Sequence, residues 1–283
     1  MIKKLISALL LLTISLTVIA QDEDIQYPTN AATLIGVGGY NILDTYITPS
    51  SRIPYKGWGL QVLNERMKIT KLADHKISRQ QIFNVNFAST ENGAGSSCIF
   101  SGLIDYTLGY HYRFNSIKNL KLLGGASLHA MGGFIYGTRV SNNPASGKLD
   151  LDLNLSGIAI YNFQIRNYPL TARYQFEVPF MGVLFSPHYG QSYYEIFNQG
   201  NTSGIFPFTS FHNKQCMKNY LTVDFPVGRF TVRAGYLNNL YHLNVNGIKS
   251  HLISHSFVIG LVKEFTATSG RKVYKKSKHS AYY

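Results

Sequence analysis

Hydrophobic and polar side chains alternate with a period of two along most of the chain from about residue 97 onward. In 98–114 the even positions carry residues such as Phe100 and Ile104, and the odd positions carry polar residues such as Asp105 and His111. A period of two is typical of β-strands whose two faces meet different surroundings. The pattern therefore predicts strands with one apolar and one polar face.

The same alternation continues through most of the remaining sequence and is most regular in 148–166. There, leucines occupy one face of the predicted strand, and lysine, aspartates and asparagine occupy the other. Further strands are predicted at 119–138, 169–184, 77–90, 216–225, 229–241 and 251–265. The segments 33–40 and 57–70 fit less well. In the second, Asn64-Glu65-Arg66 breaks the phase, which predicts a bulge or a wrongly assigned strand.

The connections between these strands alternate in length, as in outer-membrane barrels, which have short periplasmic turns and longer external loops. The predicted connections are 41–56 (long), 71–76 (short), 91–96 (moderate), 115–118 (short), 139–147 (longer), 167–168 (short), 185–215 (very long), Pro226-Val227-Gly228 (tight) and 242–250 (a loop). Ten strands result, with both termini periplasmic. A further hairpin at 193–199 and 204–211 would make twelve.

Aromatic residues distinguish a membrane barrel from a soluble sandwich or a lipocalin-like barrel, because membrane barrels carry aromatic belts at both interfaces. Aromatic residues here cluster toward segment ends: Tyr106, Tyr110, Tyr112, Tyr136, Tyr161, Phe163, Phe225, Phe230, Phe257 and Phe265. The predicted fold class is all-β, an antiparallel transmembrane β-barrel of about 10 to 12 strands with an N-terminal signal peptide.

The first twenty residues have the features of a secretory signal, namely Lys3 and Lys4, an apolar stretch over 5–19, and the small residue Ala20 at the expected cleavage point. The apolar stretch is shorter than the roughly 20 residues that a spanning helix needs. We expect cleavage after Ala20 and an outer-membrane location. The predicted division is 1–20 signal peptide, 21–32 N-terminal segment, 33–265 β-barrel and 266–283 basic C-terminal tail.

The chain carries a formal net charge of +13. Lysine and arginine neutralise nucleic-acid phosphates, but export argues against a nucleic-acid partner. The anionic partners expected outside the cytoplasm are outer-membrane lipids and surface polysaccharide, and a merely solvated basic face is the simpler alternative. The pattern leaves the oligomeric state open.

A set of charged residues falls on the polar, inward face of the predicted strands. Its members are Asp105, Arg113, His129, Asp150, Asp152, Arg173, Glu177, Asp224 and Arg233. A barrel of about ten strands lies just above the size that side chains can fill. We therefore predict a packed lumen network, with a narrow passive channel as the alternative.

Two cysteines, Cys98 and Cys216, lie at the external ends of their predicted strands. In an oxidising compartment a disulfide between them would persist, and two unpaired, partly buried thiols are the alternative.

The candidates for catalysis are His188, Ser192 and Glu195, at the start of the 185–215 loop. A serine nucleophile needs a histidine base and an orienting carboxylate, so these residue types permit a barrel-borne lipid hydrolase. Neighbourhood in sequence does not define a triad, and a folded surface loop is the simpler interpretation. We predict no metal site and no cofactor. The predicted function is a non-enzymatic outer-membrane envelope barrel, with the hydrolase and the channel as alternatives.

Three stretches resemble an uncharacterised family of exported proteins from Bacteroidota-type Gram-negative gut bacteria, a domain of unknown function. They are 39–46 (GYNILDTY, with Pro49 after it), 60–67 (LQVLNERM) and 190–197 (GQSYYEIF). The resemblance covers most of the chain after the signal and implies no activity. It suggests that Asn41-Ile42-Leu43-Asp44 forms a specific loop structure, because Asn and Asp bond to nearby backbone.

Overall fold

The computed structural model describes residues 27–49, 51–114, 117–140, 143–228 and 230–265. The predicted signal peptide, residues 21–26 of the predicted N-terminal segment and the basic tail 266–283 lie outside the described residues. Within the described ranges, no helix has both the length and the apolar character needed to cross a membrane.

Eleven strands and one short helix make up the described fold. The strands are β1 (Thr29–Asp44), β2 (Tyr55–Ile69), β3 (Ile77–Glu91), β4 (Cys98–Arg113), β5 (Leu120–Gly137), β6 (Ala145–Ile165), β7 (Tyr168–Leu184), β8 (Phe208–Ser210), β9 (Lys214–Val227), β10 (Phe230–Val245) and β11 (Ile248–Phe265). The helix α1 spans Tyr193–Phe197.

The sheet closes on itself because β1 pairs antiparallel with both β2 and β11. The β7 strand pairs with β9 over Thr171–Glu177, and the three residues of β8 only extend the other end of β7. The result is a closed antiparallel barrel of ten long strands, which confirms the predicted fold class. The twelve-strand alternative was wrong, since 193–197 is helical and β8 is a short addition.

The start of β1 and the end of β11 lie at the same end of the barrel, because Thr29 pairs with Phe265. We call this the terminal end, and the opposite one, which carries the connection 185–213, the loop end. Two predicted boundaries shift. The barrel begins at Thr29 rather than at residue 33, and β10 and β11 meet in a two-residue turn rather than in a loop at 242–250. In that turn Asn246 and Gly247 have φ of 52° and 76°, as a type I′ hairpin turn requires.

The outer face of the barrel is apolar along its middle. Ile35 of β1, Val62 of β2 and Ile104 of β4 are 63%, 50% and 51% exposed and lie at one level, which Val85 of β3 connects. Exposed aromatic rings lie toward the terminal end (Tyr110, Tyr112, Phe114, Tyr161, Tyr168 and Phe230) and toward the loop end (Trp58, Phe100, Phe134, Tyr136, Phe180 and Phe208). The predicted apolar face is thus the outer face, and the polar face points into the barrel.

The predicted bulge at Asn64-Glu65-Arg66 was wrong. The β2 strand pairs with β1 and β3 without a register shift, and Glu65 is buried in the interior between Leu63 and Met67. The register shift lies between β6 and β7, where Asn154 pairs with Pro179 and Leu153 pairs with Met181. Phe180 is the extra residue, and a proline that cannot donate to the ladder is tolerated beside it.

Buried apolar residues close the interior toward both ends. The terminal-end cluster contains Ala32, Leu34, Leu63, Met67, Ile69, Ile82, Leu123, Ile158, Ile160, Tyr220, Leu237, Val258 and Val262. The loop-end cluster contains Tyr40, Ile42, Tyr46, Ile47, Tyr55, Ala88, Ile99, Leu103, Ile135, Ile248 and Leu252. Charged and amide side chains occupy the remaining interior.

Candidate functional site

Four charged side chains form a network among the residues of the terminal-end cluster, here called the arginine cluster: Glu65, Arg173, Asp224 and Arg233. Arg233 donates to both carboxylate oxygens of Asp224 at 2.6 and 2.7 Å and, from its third nitrogen, to Glu65 at 2.8 Å. Arg173 approaches the other Glu65 oxygen at 2.6 Å. All four are nearly inaccessible to solvent. Two carboxylates and two guanidinium groups therefore neutralise one another across the barrel.

Amide side chains satisfy the groups around the arginine cluster. Gln80 donates to Glu65 at 2.5 Å and exchanges hydrogen bonds with Gln175 at 2.8 and 3.0 Å. Gln175 also accepts from Arg173 and donates to Glu177 at 2.9 Å. Buried charges are tolerated where geometry is close and the remaining hydrogen-bonding positions are filled. The amide groups complete that requirement here.

A second network, the aspartate–lysine cluster, lies nearer the loop end and consists of Asp105, His129, Asp150, Asp152, Lys214 and Lys218. Lys214 donates to Asp150 and Asp152, each at 2.7 Å. His129 lies between two carboxylates, 3.6 Å from Asp152 and 3.8 Å from Asp105. Lys218 lies 3.5 Å from Asp105. Three carboxylates thus share two lysines and one histidine.

A cavity of about 100 Å³ lies inside the barrel beside this second network. We call it the chamber. Its walls include the aspartate–lysine cluster, the polar residues Asn86, Asn154 and Glu177, and apolar residues of the loop-end cluster such as Leu103 and Ile135. The lining of the chamber therefore has a charged and amide-bearing part, here called the polar wall, and apolar residues interspersed with it.

Asp44 organises the closure of the barrel at the loop end. Its carboxylate accepts from Lys148 Nζ at 2.6 Å, from Ser146 and Ser250 hydroxyls, and from the backbone N–H of Tyr46 at 2.9 Å. Asp44 thereby ties the β1–β2 connection to β6 and β11. The loop structure that the resemblance suggested for 41–44 was wrong, because these residues are the end of β1 and pair with β11.

The long connection 185–213 packs over the same opening. Tyr46 donates to the carbonyl of Gln191 at 2.9 Å, and the Tyr193 hydroxyl accepts from the Gly147 N–H at 2.6 Å. Burial raises the pKa of the Tyr46 phenol, so its hydroxyl stays protonated as a donor. The side chain of Asn246 holds the connection from the other side by donating to Ser186 O at 2.8 Å.

Eight of the nine predicted lumen residues point into the barrel and join the networks described above. The exception is Arg113, which is half-buried at the terminal end of β4, where its N–H donates to Lys76 O. The prediction missed Glu65, Lys214, Lys218 and Asp44. Glu65 fell in the supposed phase break and Lys214 in the supposed loop. For Lys218 the alternation of β9 was the available signal.

The predicted disulfide between Cys98 and Cys216 was wrong. Both thiols are free. Although both lie toward the loop end, Cys98 lies on the outer face of β4, whereas Cys216 lines the chamber from β9. Opposite faces of non-adjacent strands cannot supply the Cβ approach that a disulfide needs.

The candidate catalytic residues have structural roles in the 185–213 connection. Ser192 is the N-cap of α1, and it forms a capping box with Glu195: Ser192 Oγ accepts from Glu195 N–H at 3.2 Å and Glu195 accepts from Ser192 N–H at 3.0 Å. His188 contacts Ser203 O at 3.0 Å through its ring and Gln191 through its backbone. Across the described residues no hydrogen bond joins His188 to Ser192.

The fold and interior define a closed ten-stranded antiparallel β-barrel with an apolar outer face and a charged, filled interior. The chain belongs to the family described as "Protein of unknown function (DUF3316)", whose model matches residues 5–272. This confirms the resemblance to a domain of unknown function. No curated protein matches the sequence.

Several solved outer-membrane barrels are similar in fold. The outer membrane protease OmpT from Escherichia coli has 8% identity and a TM-score of 0.45, covering 89% of this chain and 99% of that one. The transport unit of the autotransporter AIDA-I from Escherichia coli has 12% identity and a TM-score of 0.41, covering 87% and 94%. The COG4313 outer membrane channel from Pseudomonas putida F1 has 9% identity and a TM-score of 0.37, covering 87% and 100%. These likenesses concern the fold and transfer no activity.

Proposed function

We propose that this protein is a non-enzymatic outer-membrane envelope barrel with a closed lumen, exported by a signal peptide that is cleaved after Ala20. The observation that carries the proposal is the arginine cluster, which fills the interior of the barrel amid the terminal-end apolar cluster. A Gram-negative source follows from the proposed outer-membrane location.

The outer face supports insertion into a bilayer. Contiguous apolar surface beyond a few hundred Å² is rare on soluble monomers, yet apolar side chains at the level of Ile35, Val62 and Ile104 continue from strand to strand. A membrane strand needs about 9–11 residues, and the ten barrel strands have 14 to 21. The outer-membrane lipids are thus the proposed partners along the barrel wall, and surface polysaccharide at the loop end.

The orientation follows from the connections, since outer-membrane barrels carry short turns on the periplasmic side. The four connections at the terminal end, 70–76, 114–119, 166–167 and 228–229, have at most seven residues. The loop end carries the two longest connections, 45–54 and 185–213, although it also has the two-residue turn 246–247. We therefore assign the terminal end to the periplasm and the loop end to the cell surface. The loop end then presents the exposed rings of Tyr194 and Phe197 to the outside.

We expect almost no ionic current through this protein in planar bilayers. An ion would have to separate the pairs of Arg233 with Asp224 and Glu65 in an interior of low dielectric, where such attractions are strong. Recording from purified full-length mature protein in a bilayer checks this. Stable stepwise conductance that scales with salt concentration would refute the closed lumen and favour the narrow channel.

We also expect the mature protein to remain with the outer membrane through carbonate washing, because the apolar outer face holds it in hydrocarbon. Unheated samples should run at a different gel position from heated ones, as folded barrels keep their compact shape in detergent. Fractionation followed by mass spectrometry of the N-terminal peptide checks both the location and cleavage after Ala20. Recovery in the soluble periplasm would contradict the proposal.

A further inference from the structure

The polar wall of the chamber contains several buried oxygen atoms that receive no hydrogen bond from the described protein groups. They are Asn86 Oδ1, Asn154 Oδ1 and Asp152 Oδ1. The three residues are only 6%, 4% and 2% exposed, and all three line the chamber. Leaving a buried acceptor unpaired costs free energy. The wall therefore has unused capacity for a hydrogen-bond donor.

The charge of the same wall favours a donor that is positive. Four carboxylates line the chamber, those of Asp105, Asp150, Asp152 and Glu177, and they face His129 and the two ammonium groups of Lys214 and Lys218. The third lysine of the lining, Lys148, is held by Asp44. Carboxylates thus outnumber the fixed cations available to them, and an added cation would meet a favourable field.

The regular alternation of β6 turns both Asp152 and Asn154 toward the interior. The only register shift between the long strands β6 and β7 that the described pairings contain lies at Asn154, opposite Pro179. The extra residue of this shift, Phe180 of β7, is exposed on the outer face, so the shift marks the chamber wall without changing the direction of Asn154. Both Asn154 and Pro179 line the chamber.

Apolar residues also line the chamber, namely Leu103, Met131, Ile135 and Leu252. They lie beside the charged residues rather than opposite them, since Met131 pairs with both Asp105 and Asp150. A cavity of about 150 Å³ holds benzene, so the chamber, at about 100 Å³, has room for about four non-hydrogen atoms. An ammonium group donates three hydrogen bonds, whereas a short alkyl chain needs only apolar contact.

We propose that the chamber is a binding site for a small protonated primary alkylamine. Its ammonium group lies against Asp152 and Asn154, which are successive inward positions of β6, with Glu177 of the adjoining β7 supplying negative charge, and its alkyl group lies against Met131 and Ile135. This site goes beyond the envelope role, and it requires only the closed interior described above, not a particular location of the barrel.

Propylamine is the probe, added to the folded full-length mature protein in a neutral detergent and followed by titration calorimetry. We expect saturable binding of one molecule with a dissociation constant on the order of 1 mM, given the small number of ligand atoms. Propanol, which is isosteric but uncharged, and propionate, which is anionic, should each bind at least tenfold more weakly. Tetramethylammonium, a cation without N–H donors, should also bind at least tenfold more weakly.

Glu177→Gln and Asn154→Leu should each weaken propylamine binding about tenfold while leaving the heat-dependent gel shift of the folded barrel unchanged. Glu91→Gln, the same substitution at the exposed loop end of β3, should leave the affinity unaltered. Three results would overturn the proposal: no saturable binding, which would leave water as the occupant; equal affinity for propanol; or unchanged affinity in both chamber variants.

Discussion

Replacing Arg233 with methionine should lower the free energy of unfolding by about 3–5 kcal/mol, the usual cost of removing one partner from a buried ion pair. Methionine fills a similar space without charge, so the loss is electrostatic. It would remove the bidentate partner of Asp224 and one of the two guanidinium partners of Glu65, which would keep Arg173 and Gln80. Urea unfolding of the purified barrel in lipid vesicles measures the difference.

Two further variants separate this effect from a general response to mutation. Arg79→Met, at an exposed position of β3, should change stability by no more than about 0.5 kcal/mol. The double variant Arg233→Met with Asp224→Leu should regain most of the loss, because an apolar pair often replaces a buried ion pair at little cost. A loss below about 1 kcal/mol in Arg233→Met alone would mean that the arginine cluster does not hold the interior as described.

Ile104→Arg should destabilise the inserted barrel by about 2–4 kcal/mol, the cost found for a basic side chain on the lipid face at the bilayer midplane. Ile104 lies near the middle of β4 and points outward with 51% of its surface exposed. In a bilayer the guanidinium would have to reach the interface or draw water inward. Refolding into vesicles, followed by urea titration, measures the change.

The matched variant is Ile53→Arg in the β1–β2 connection, where the isoleucine is 72% exposed outside the barrel strands. Its stability should remain within about 0.5 kcal/mol of the parent protein. If Ile104→Arg were equally harmless in vesicles, the outer face would not lie in hydrocarbon, and the membrane proposal would fail even though the barrel fold stood.

Alternation alone predicted the strands and the faces correctly wherever it was regular. In β6 the outward Leu149 and Leu151 and the inward Asp150 and Asp152 are where a period of two requires them. This succeeded because successive side chains of a strand point to opposite faces irrespective of their partners. Connection lengths then predicted ten strands and the end at which each connection lies.

The assignment of apolar residues to the outside and polar residues to the inside failed at the terminal end, where the interior is packed with apolar side chains. Apolar residues such as Leu63 and Met67 face inward beside Glu65, because the terminal end of the interior is packed rather than wet. Because the inner face of β2 carries both apolar and charged residues, the sequence showed an apparent break in the alternation at 64–66. Likewise, Ile158 and Ile160 are buried on the inward face of β6, which a simple rule of apolar outside and polar inside does not anticipate.

The residue types in the connection 185–213 did not indicate the structural roles of Ser192, Glu195 and His188. Ser192 and Glu195 are three positions apart, the spacing of a capping box as well as of neighbours in a catalytic loop. Only the backbone decides between them, and here it starts a helix at Tyr193. His188 faces the carbonyl of Ser203 instead of the serine that a triad would need.

The sequence by itself determined the all-β class, the positions of most strands along the chain and their two faces, because these follow from a periodicity that each strand carries locally. The tertiary structure alone decided which charges meet. Arg233 and Glu65 are separated by 168 positions, and Lys148 and Asp44 by 104. Such pairs, and the chamber between them, depend on the closure of β1 against β11 and on the register of every ladder between, and no local pattern records these.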